Sequence, residues 1–489
     1  MFIITLLTLK QILVVKNMNL SPLPTWRSNL MDIRFWIVLF FLVRLYGITN
    51  APLDAASVWR QCDVLMIARN FYEVDSNIFY PRIDVGENLN GTITGSEFPI
   101  YNYIIFLVSQ IFGYSHWYGR LINLIITSVA VLYLYRIVSK YFNKEAAFNS
   151  SILLLVSGWF SFSRITIPDV FAASLCIIAL YFSMRFCETG KKIHLLNFTI
   201  LALLGCLSKI SASSFLTVLL LPVLSKDLLL NRKIALSLSA VVIVALVVAW
   251  YFFWVPHLNS IGAGYFFMGL PLKEGIHDLI EEPGKFAKRF FDSPLKYTGS
   301  ALLISSIYLS FKYKKFLALF AFLISIAAFS IFVLKSGKWF YINGYYFLML
   351  VPPIVLLAGF GLSLVKNKTL QILILIIVGV ENIGNQVHVF RISKSYTPYI
   401  TLEKTFDGLG TSRKELIAVG CDDCSSAAIY MSHRKGWILG AEQLDTLHIK
   451  TLQKAGLKYI LIQKKLHGIN VNLPYQEIYN SDDFKIYKL

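Results

Sequence analysis

The stretch "RLINLIITSVAVLYLYRIVSK", residues 120–140, decides the class of fold. It begins with Arg120, ends with Lys140, and is mostly apolar between them. A helix rises 1.5 Å per residue, so a stretch of this length crosses the roughly 30 Å hydrocarbon core of a bilayer. The stretch therefore predicts a transmembrane helix with a basic residue at each end.

The composition of the whole chain agrees with this prediction. Of its 489 residues, 56% are hydrophobic and only 15% are charged, whereas soluble domains contain about 25% charged residues. The composition indicates an integral membrane protein. We attribute the net charge of +18 to cytoplasmic loops and not to nucleic-acid binding, because no aromatic-rich basic patch lies outside the apolar stretches.

Eleven apolar stretches are long enough, or nearly long enough, to cross a bilayer as helices. They lie at 34–49, 119–139, 146–162, 169–186, 194–208, 213–225, 234–255, 297–311, 315–335, 344–364 and 369–388. A shorter apolar stretch occupies residues 100–112. The predicted fold is an all-α polytopic membrane protein with about eleven transmembrane helices.

Basic residues fall in alternate connections between these stretches, which are 140–145, 188–193, 226–233, 312–315 and 366–368. The positive-inside rule makes these connections cytoplasmic. The two long loops, 50–118 and 256–296, and the tail then face outward. Both loops contain amphipathic stretches, which predict helices lying in the membrane interface.

The ends of the chain differ from the middle. Residues 1–33 form an N-terminal segment with two interpretations, a short leading helix or a chain that starts at a later methionine. Residues 395–489 predict a small periplasmic α/β domain, because "ELIAVG" and "KYILIQ" are typical of buried strands and "EQLDTLHIKTLQKAG" is typical of an amphipathic helix. A single C-x-x-C, Cys421 and Cys424, lacks half the ligands of a zinc site but suits a local disulfide outside the cytoplasm.

Polar side chains concentrate at the outward ends of the predicted spans. Ionisable groups at membrane depth are functional candidates, although each could instead mark a helix end in water. Carboxylates can act as general base, and Arg or Lys can neutralise a phosphate leaving group. The candidates are Asp54, Asp63, Glu97, Arg120, Asp169, Lys209 and Tyr345, with Arg60, Gln61 and Arg69 as further candidates in the first loop.

Several short motifs occur in a characteristic order. They are "PLDAASVWRQCD", "IARNFYE", "EFPIYNY", "GRLIN", "PD" at the start of the fourth span, "LSKIS" and "YYFLMLVPP". Over residues 34–390 the chain resembles the GT-C glycosyltransferases that use polyprenyl-phosphate sugars. The resemblance is to the dolichyl-phosphate-mannose protein mannosyltransferase-like group (family 39) and its aminoarabinose transferase relatives, in a bacterial branch.

The resemblance implies an inverting hexosyl- or pentosyltransferase of the cytoplasmic (inner) membrane, with a polyprenyl-phosphate sugar as donor and a glycolipid, glycan or protein as acceptor. It implies that Asp54 is the catalytic aspartate of the first loop, and Asp63 is the alternative. Glu97, Asp169 and Lys209 match positions that line the donor and phosphate site in relatives. No cofactor is expected, and a divalent metal is not indicated.

Two other function classes compete with this one. A transporter or lipid flippase predicts charged residues near the middle of spans or paired broken helices, whereas here the charges lie at span ends. A lipid-linked glycan ligase or polymerase shares the lipid-linked substrate and the outer-face chemistry, and the sequence does not separate it from a transferase.

Overall fold

The computed structural model describes residues 30–54, 57–86, 92–262, 269–422, 426–469 and 471–489. Most of the predicted N-terminal segment and Cys424 lie outside these ranges. Cys421 is disulfide-bonded, in agreement with the disulfide interpretation of its motif. The free cysteines among the described residues are Cys62, Cys176, Cys187 and Cys206.

A bundle of apolar helices forms most of the molecule, and each of the eleven predicted stretches contains a helix. The bundle helices are Ile33–Arg44, Tyr118–Tyr141, Lys144–Val156, Pro168–Thr189, Lys192–Ser208, Ile210–Leu219 (3₁₀), Leu220–Leu224, Leu230–Val248, Lys296–Lys312, Leu317–Ser336, Val351–Ser363 and Lys368–Gly384. By length and hydropathy, five helical segments of the described chain are candidate membrane spans, or six if one bent pair is a single span. The chain is a multi-pass membrane protein.

Local sequence explains how one bundle helix begins and ends. Pro168 occupies the first turn of the helix Pro168–Thr189, where its missing N–H costs nothing, and Asp169 places a negative charge at the positive end of the helix dipole. Gly190 ends the helix in the left-handed conformation, with φ of 69°. The predicted span 146–162 is broken instead, because the chain bends by 50° between Val156 and Gly158.

The two long loops contain the helices that the sequence predicts. The first loop forms Val58–Glu73 and Ile100–Phe112, and the second forms Leu272–Glu281 and Pro283–Asp292. The helix Val58–Glu73, here called the loop helix, is buried on nearly every side although it contains two arginines and an aspartate. It therefore does not have the exposed polar face of an ordinary amphipathic helix.

The tail forms a five-stranded mixed sheet. Its strands are β1 (Leu416–Gly420), β2 (Lys435–Leu439), β3 (Leu457–Gln463), β4 (Gln476–Asn480) and β5 (Phe484–Lys488), and their order is β2-β1-β3-β5-β4. The strands β2, β1 and β3 are parallel, and β5 is antiparallel to both β3 and β4. The short helix Ala427–Ser432 and the helix Thr446–Lys454 connect the parallel strands. The predicted small C-terminal α/β domain is confirmed as a fold.

Alternate residues of the parallel strands point to opposite faces of this sheet. Leu416 and Ala418 pack on one face with the helix Thr446–Lys454. Ile417 and Val419 pack on the other face in a core that also contains Leu65 of the loop helix. The loop helix is therefore enclosed between the membrane bundle and the C-terminal sheet.

The basic connections meet at the end of the bundle that lies away from the C-terminal sheet. Lys140 and Arg185 both pair with Glu188, and Arg232 donates to the carbonyl oxygen of Cys187 at 2.7 Å. Lys368 pairs with Glu145. Connections far apart in the sequence thus share one end, as the alternation of charge predicts.

Candidate active site

The candidate polar residues lie at the other end of the bundle, here called the site end. Asp169 begins the helix Pro168–Thr189, and Lys209 directly follows the helix Lys192–Ser208. Arg120 lies in the first turn of the helix Tyr118–Tyr141, and Tyr345 precedes the turn Tyr346–Leu350. The chain direction of each helix therefore brings these side chains to a single layer.

Four charged side chains of this layer form what we call the ionic cluster, which consists of Arg60, Glu97, Asp169 and Lys209. Glu97 Oε1 accepts hydrogen bonds from Arg60 Nη2 at 2.5 Å and from Lys209 Nζ at 3.0 Å. Lys209 Nζ also lies 3.3 Å from Asp169 Oδ1. The rings of Tyr345 and Tyr346 lie over the same ammonium group, with centroids 5.6 and 5.4 Å from Nζ.

The electrostatics of the ionic cluster depend on Glu97. Burial alone would raise the pKa of Glu97, but the charges of Arg60 and Lys209 outweigh burial and hold that pKa well below its ordinary value. The cluster contains two cations and two carboxylates. One carboxylate oxygen, Asp169 Oδ2, is buried and has no hydrogen-bond partner among the described residues.

Asp54 belongs to a second buried network. Gln61 Nε2 donates to Asp54 Oδ1 at 2.7 Å, and Arg120 Nη2 lies 3.2 Å from both oxygens of the same carboxylate. Gln61 Oε1 accepts from Arg120 Nη2 at 3.3 Å and from the Thr166 N–H at 3.2 Å. Because Arg60 and Gln61 are neighbours on the loop helix, this network and the ionic cluster adjoin.

Asp63 contacts the C-terminal domain instead. Ser426 Oγ donates to Asp63 Oδ1 at 2.5 Å, while Oδ2 is buried and unpartnered among the described residues. Burial raises the pKa of Asp63 to about 7, although the hydrogen bond from Ser426 acts in the opposite direction. The structure thus separates the two rival carboxylates by their partners.

Arg69 also lies apart from the other candidates. Its Nη2 donates to Asp84 Oδ2 at 2.7 Å, and its guanidinium lies 4.7 Å from the centroid of the Tyr430 ring. Asn70 Nδ2 donates to Asp84 Oδ1 at 2.8 Å. These contacts attach the end of the loop helix to Asp84 of the first long loop and to Tyr430 of the tail.

Sequence reasoning missed three polar residues of this region, which are Asp84, Tyr346 and Ser426. Asp84 is an isolated acid in a loop, and Ser426 lies 363 positions after the carboxylate it contacts. Neither belongs to a motif with a recognisable spacing. Tyr346 follows Tyr345 in "YYFLMLVPP", and this pair of adjacent tyrosines at a span end is its only sequence signal.

The described residues contain one group of three closely spaced metal-ligand side chains, His277, Asp278 and Glu281. These residues lie on the helix Leu272–Glu281, His277 and Glu281 are exposed, and Asp278 already accepts a hydrogen bond from the Lys338 N–H at 2.8 Å. The carboxylates of the ionic cluster face cations instead. The groups of the candidate site that suit an anionic ligand are Lys209 and Arg60.

Comparison with known proteins identifies the fold family that this chain resembles. Residues 96–253 match the family model described as dolichyl-phosphate-mannose-protein mannosyltransferase. ArnT from Cupriavidus metallidurans, in its structure bound to undecaprenyl phosphate, superposes with a TM-score of 0.61 over 94% of this chain and 98% of that chain, at 12% identity. The chain has the GT-C fold. The resemblance predicted from the motifs is confirmed.

A second GT-C relative is more distant. The oligosaccharyltransferase AglB from Archaeoglobus fulgidus, solved with an inhibitory peptide and a dolichol-phosphate, gives a TM-score of 0.51 at 13% identity and covers 90% of this chain and 70% of that chain. No curated protein sequence matches the chain. At these identities the GT-C relatives establish the fold, and residue roles must be argued from this site.

Removal of the Glu97 charge should destabilise the protein. In Glu97→Gln, the buried cations Arg60 and Lys209 lose their shared carboxylate, and breaking a buried pair typically costs about 3–5 kcal/mol. We expect a lower melting temperature in detergent at neutral pH. The pKa of Glu97 is lower in the folded state than in the unfolded state. The Glu97 carboxylate therefore stabilises the fold above the ordinary glutamate pKa, and this stabilisation is lost as the pH falls. The melting temperatures of wild type and variant should therefore converge in acid.

The matched control is Glu282→Gln, which breaks the exposed pair with Lys285 at 2.7 Å. An exposed pair contributes about 0–1 kcal/mol, so this variant should melt like wild type. Equal melting temperatures for Glu97→Gln and Glu282→Gln at neutral pH would contradict the ionic cluster as described.

Proposed function

We propose that this protein is a glycosyltransferase that moves a hexose or pentose from a polyprenyl-phosphate donor to an acceptor at the outer face of the cytoplasmic membrane. The observation that carries the proposal is the ionic cluster, where Lys209 is buried at the end of a membrane helix and Arg60 is buried on the loop helix. A lipid-anchored phosphate would arrive at this depth. The undecaprenyl phosphate bound to ArnT and the dolichol-phosphate bound to AglB support the same ligand class.

The donor phosphate would bind at Lys209. Its ammonium group lies between Glu97 and Asp169 and beneath two tyrosine rings, so its position is fixed before any ligand arrives. Arg60 shares Glu97 Oε1 and can reach the same anion. Cations held in advance at a developing charge stabilise it without reorganisation.

Asp54 is our choice for the general base. Its carboxylate is fixed by Gln61 and Arg120 in the layer that adjoins the ionic cluster. In one displacement, the acceptor oxygen attacks the anomeric carbon and its proton passes to Asp54. The bond from that carbon to the phosphate oxygen breaks, and the electron pair leaves with polyprenyl phosphate, which inverts the configuration.

Loss of the Asp54 charge should abolish most transfer. A general base contributes about 10²–10⁴-fold to rate, so Asp54→Asn should lose activity on that scale while retaining its shape. The measurement is mass spectrometry of cell-surface glycans and glycolipids from a deletion strain complemented with each variant. A deletion strain whose glycans and glycolipids match those of its parent would overturn the proposed function.

Asp63→Asn is the paired control. Since the pKa of Asp63 is raised to about 7, its carboxyl is largely protonated at pH 6, and asparagine keeps both the neutrality and the contact with Ser426. We expect near-normal glycans and, above pH 7, a stability equal to or higher than that of wild type. A severe loss in Asp63→Asn with normal transfer in Asp54→Asn would reverse the assignment.

Lys209 should determine recognition of the phosphate and not of the lipid tail. Retention of undecaprenyl phosphate by the purified protein is compared with retention of undecaprenol, which lacks the phosphate. Lys209→Met should lose the preference for the phosphate by about tenfold or more, because a hydrogen bond to a charged group contributes about 1.5–3 kcal/mol. Lys335→Met, at an exposed lysine of the site end, should retain the preference, and an unchanged preference in Lys209→Met would refute the role.

The outer location of the site can be measured directly. Cysteines are introduced at Lys191 in a basic connection and at Lys285 in the second long loop, and intact spheroplasts are treated with a membrane-impermeant thiol reagent. We expect labelling at position 285 and none at position 191, relative to the parent chain. The opposite pattern would place the candidate site in the cytoplasm and would remove the proposed orientation.

A further inference from the structure

A cavity adjoins the candidate site at the same end of the bundle. Its volume of about 520 Å³ falls within the roughly 300–1,000 Å³ of typical small-ligand pockets. The described residues that line it come from the start of the loop helix, the break after the helix Lys144–Val156, the second long loop, and the connections at 342–347 and 382–396. No residue of the ionic cluster lines it.

The cavity and the candidate site are separated by shared walls. Trp59 lines the cavity, and the next residue of the loop helix is Arg60 of the ionic cluster. Gly344 and Phe347 also line the cavity, and they flank Tyr345 and Tyr346, whose rings cover Lys209. The chain at residues 59–60 and at residues 344–347 therefore contributes to both the cavity and the candidate site.

The charged side chains that line the cavity are mainly basic. Arg289 donates to Ser293 Oγ at 3.1 Å and to the carbonyl oxygen of Tyr341. Lys296 Nζ lies 3.2 Å from Asp292, which is the one carboxylate among the described residues of the lining. The nearby Glu381 does not line the cavity, and it accepts hydrogen bonds from the Thr298 and Tyr297 N–H groups at 2.9 and 3.2 Å.

Amide and aromatic side chains complete the lining. Asn343 and Asn385 each donate to a backbone carbonyl of their own helix or turn, at 3.2 and 2.8 Å. Within the described residues, neither amide oxygen accepts a hydrogen bond from the protein, so both can accept from a ligand hydroxyl. Trp59 and Phe347 add aromatic surface to the same lining. Hydroxyl acceptors, aromatic surface and two cations together fit an acidic sugar.

We propose that this cavity binds the acceptor of the transfer reaction and that the acceptor carries an anionic sugar, with a carboxylate or phosphate facing Arg289 and Lys296. That the ligand is the acceptor rests on the proposed function, whereas the binding of an anionic sugar rests on the cavity alone. Arginine binds carboxylate and phosphate groups bidentately, and lysine adds a point charge. A glycolipid head group and a free glycan share this chemistry.

The test measures sugar binding to the purified full-length protein by saturation-transfer NMR. The probes are glucuronic acid, glucose 6-phosphate and neutral glucose. We expect both anionic sugars to bind, and glucose to bind at least about tenfold more weakly, since it lacks the charged hydrogen bonds. Lys296→Gln and Arg289→Gln should each weaken glucuronic acid binding about tenfold, and Lys273→Gln, at an exposed lysine of the same loop, should leave it unchanged.

Asp292→Asn provides the decisive variant, because it removes the acid that competes for Lys296. It should strengthen the binding of glucuronic acid several-fold, a gain that misfolding cannot produce. Equal binding of glucose and glucuronic acid, no sugar binding by wild type, or unchanged binding in both Asp292→Asn and Lys296→Gln would overturn the inference. Retention of undecaprenyl phosphate is measured on the same samples, so the inference can fail while the donor site stands.

Discussion

The burial of charge in the loop helix is the constraint on which the rest of the structure depends. Arg60, Asp63 and Arg69 are each at most 5% exposed. Leaving a buried charge or hydrogen-bonding group unpaired is costly, so each of these side chains needs a partner from elsewhere in the fold. Glu97 and Asp84 come from the same loop, whereas Ser426 comes from the tail. The first long loop, the bundle and the tail are therefore mutually dependent.

The C-terminal sheet consequently acts as a cover and not as an appended domain. It encloses the loop helix with the apolar face that contains Ile417 and Val419, and it supplies polar partners through Ser426 and Tyr430. Lys435 Nζ also donates to Asn70 Oδ1 at 2.9 Å. Because Arg60 and Gln61 lie on the same helix within one turn of Asp63, a displacement of the sheet would be transmitted to both buried networks.

The fold was predictable from the sequence where it depends on local composition. The span Arg120–Lys140 and the alternation of basic connections are set by transfer into the bilayer, which acts on each segment separately. The strands at 415–420 and 458–463 were equally predictable from their runs of apolar residues. The bend after Val156 and the 3₁₀ course of Ile210–Leu219 were not, since tertiary packing decides them.

The candidate site was predictable only as a set of residue types at one membrane face. Hydropathy indicates that Glu97, Asp169 and Lys209 lie at the same depth, but depth does not fix which carboxylate meets which cation. The distinction between Asp54 and Asp63 depends on Arg120 and Ser426, both remote in sequence. Asp54 and Asp63 differ in partner and not in residue type, so the sequence alone left them as rivals.

The balance of charge in the ionic cluster has a consequence for how a phosphate would bind there. Arg60 and Lys209 share a single oxygen of Glu97, so the donor phosphodiester, which carries one negative charge, has to take over hydrogen bonds that this carboxylate now accepts. Lys209 can stay in place during the exchange, because Asp169 still holds it and the tyrosine rings still cover it. When the donor leaves, Glu97 can recover both cations. The carboxylates would then keep the cations paired between turnovers, so that the empty site does not contain unpaired buried cations.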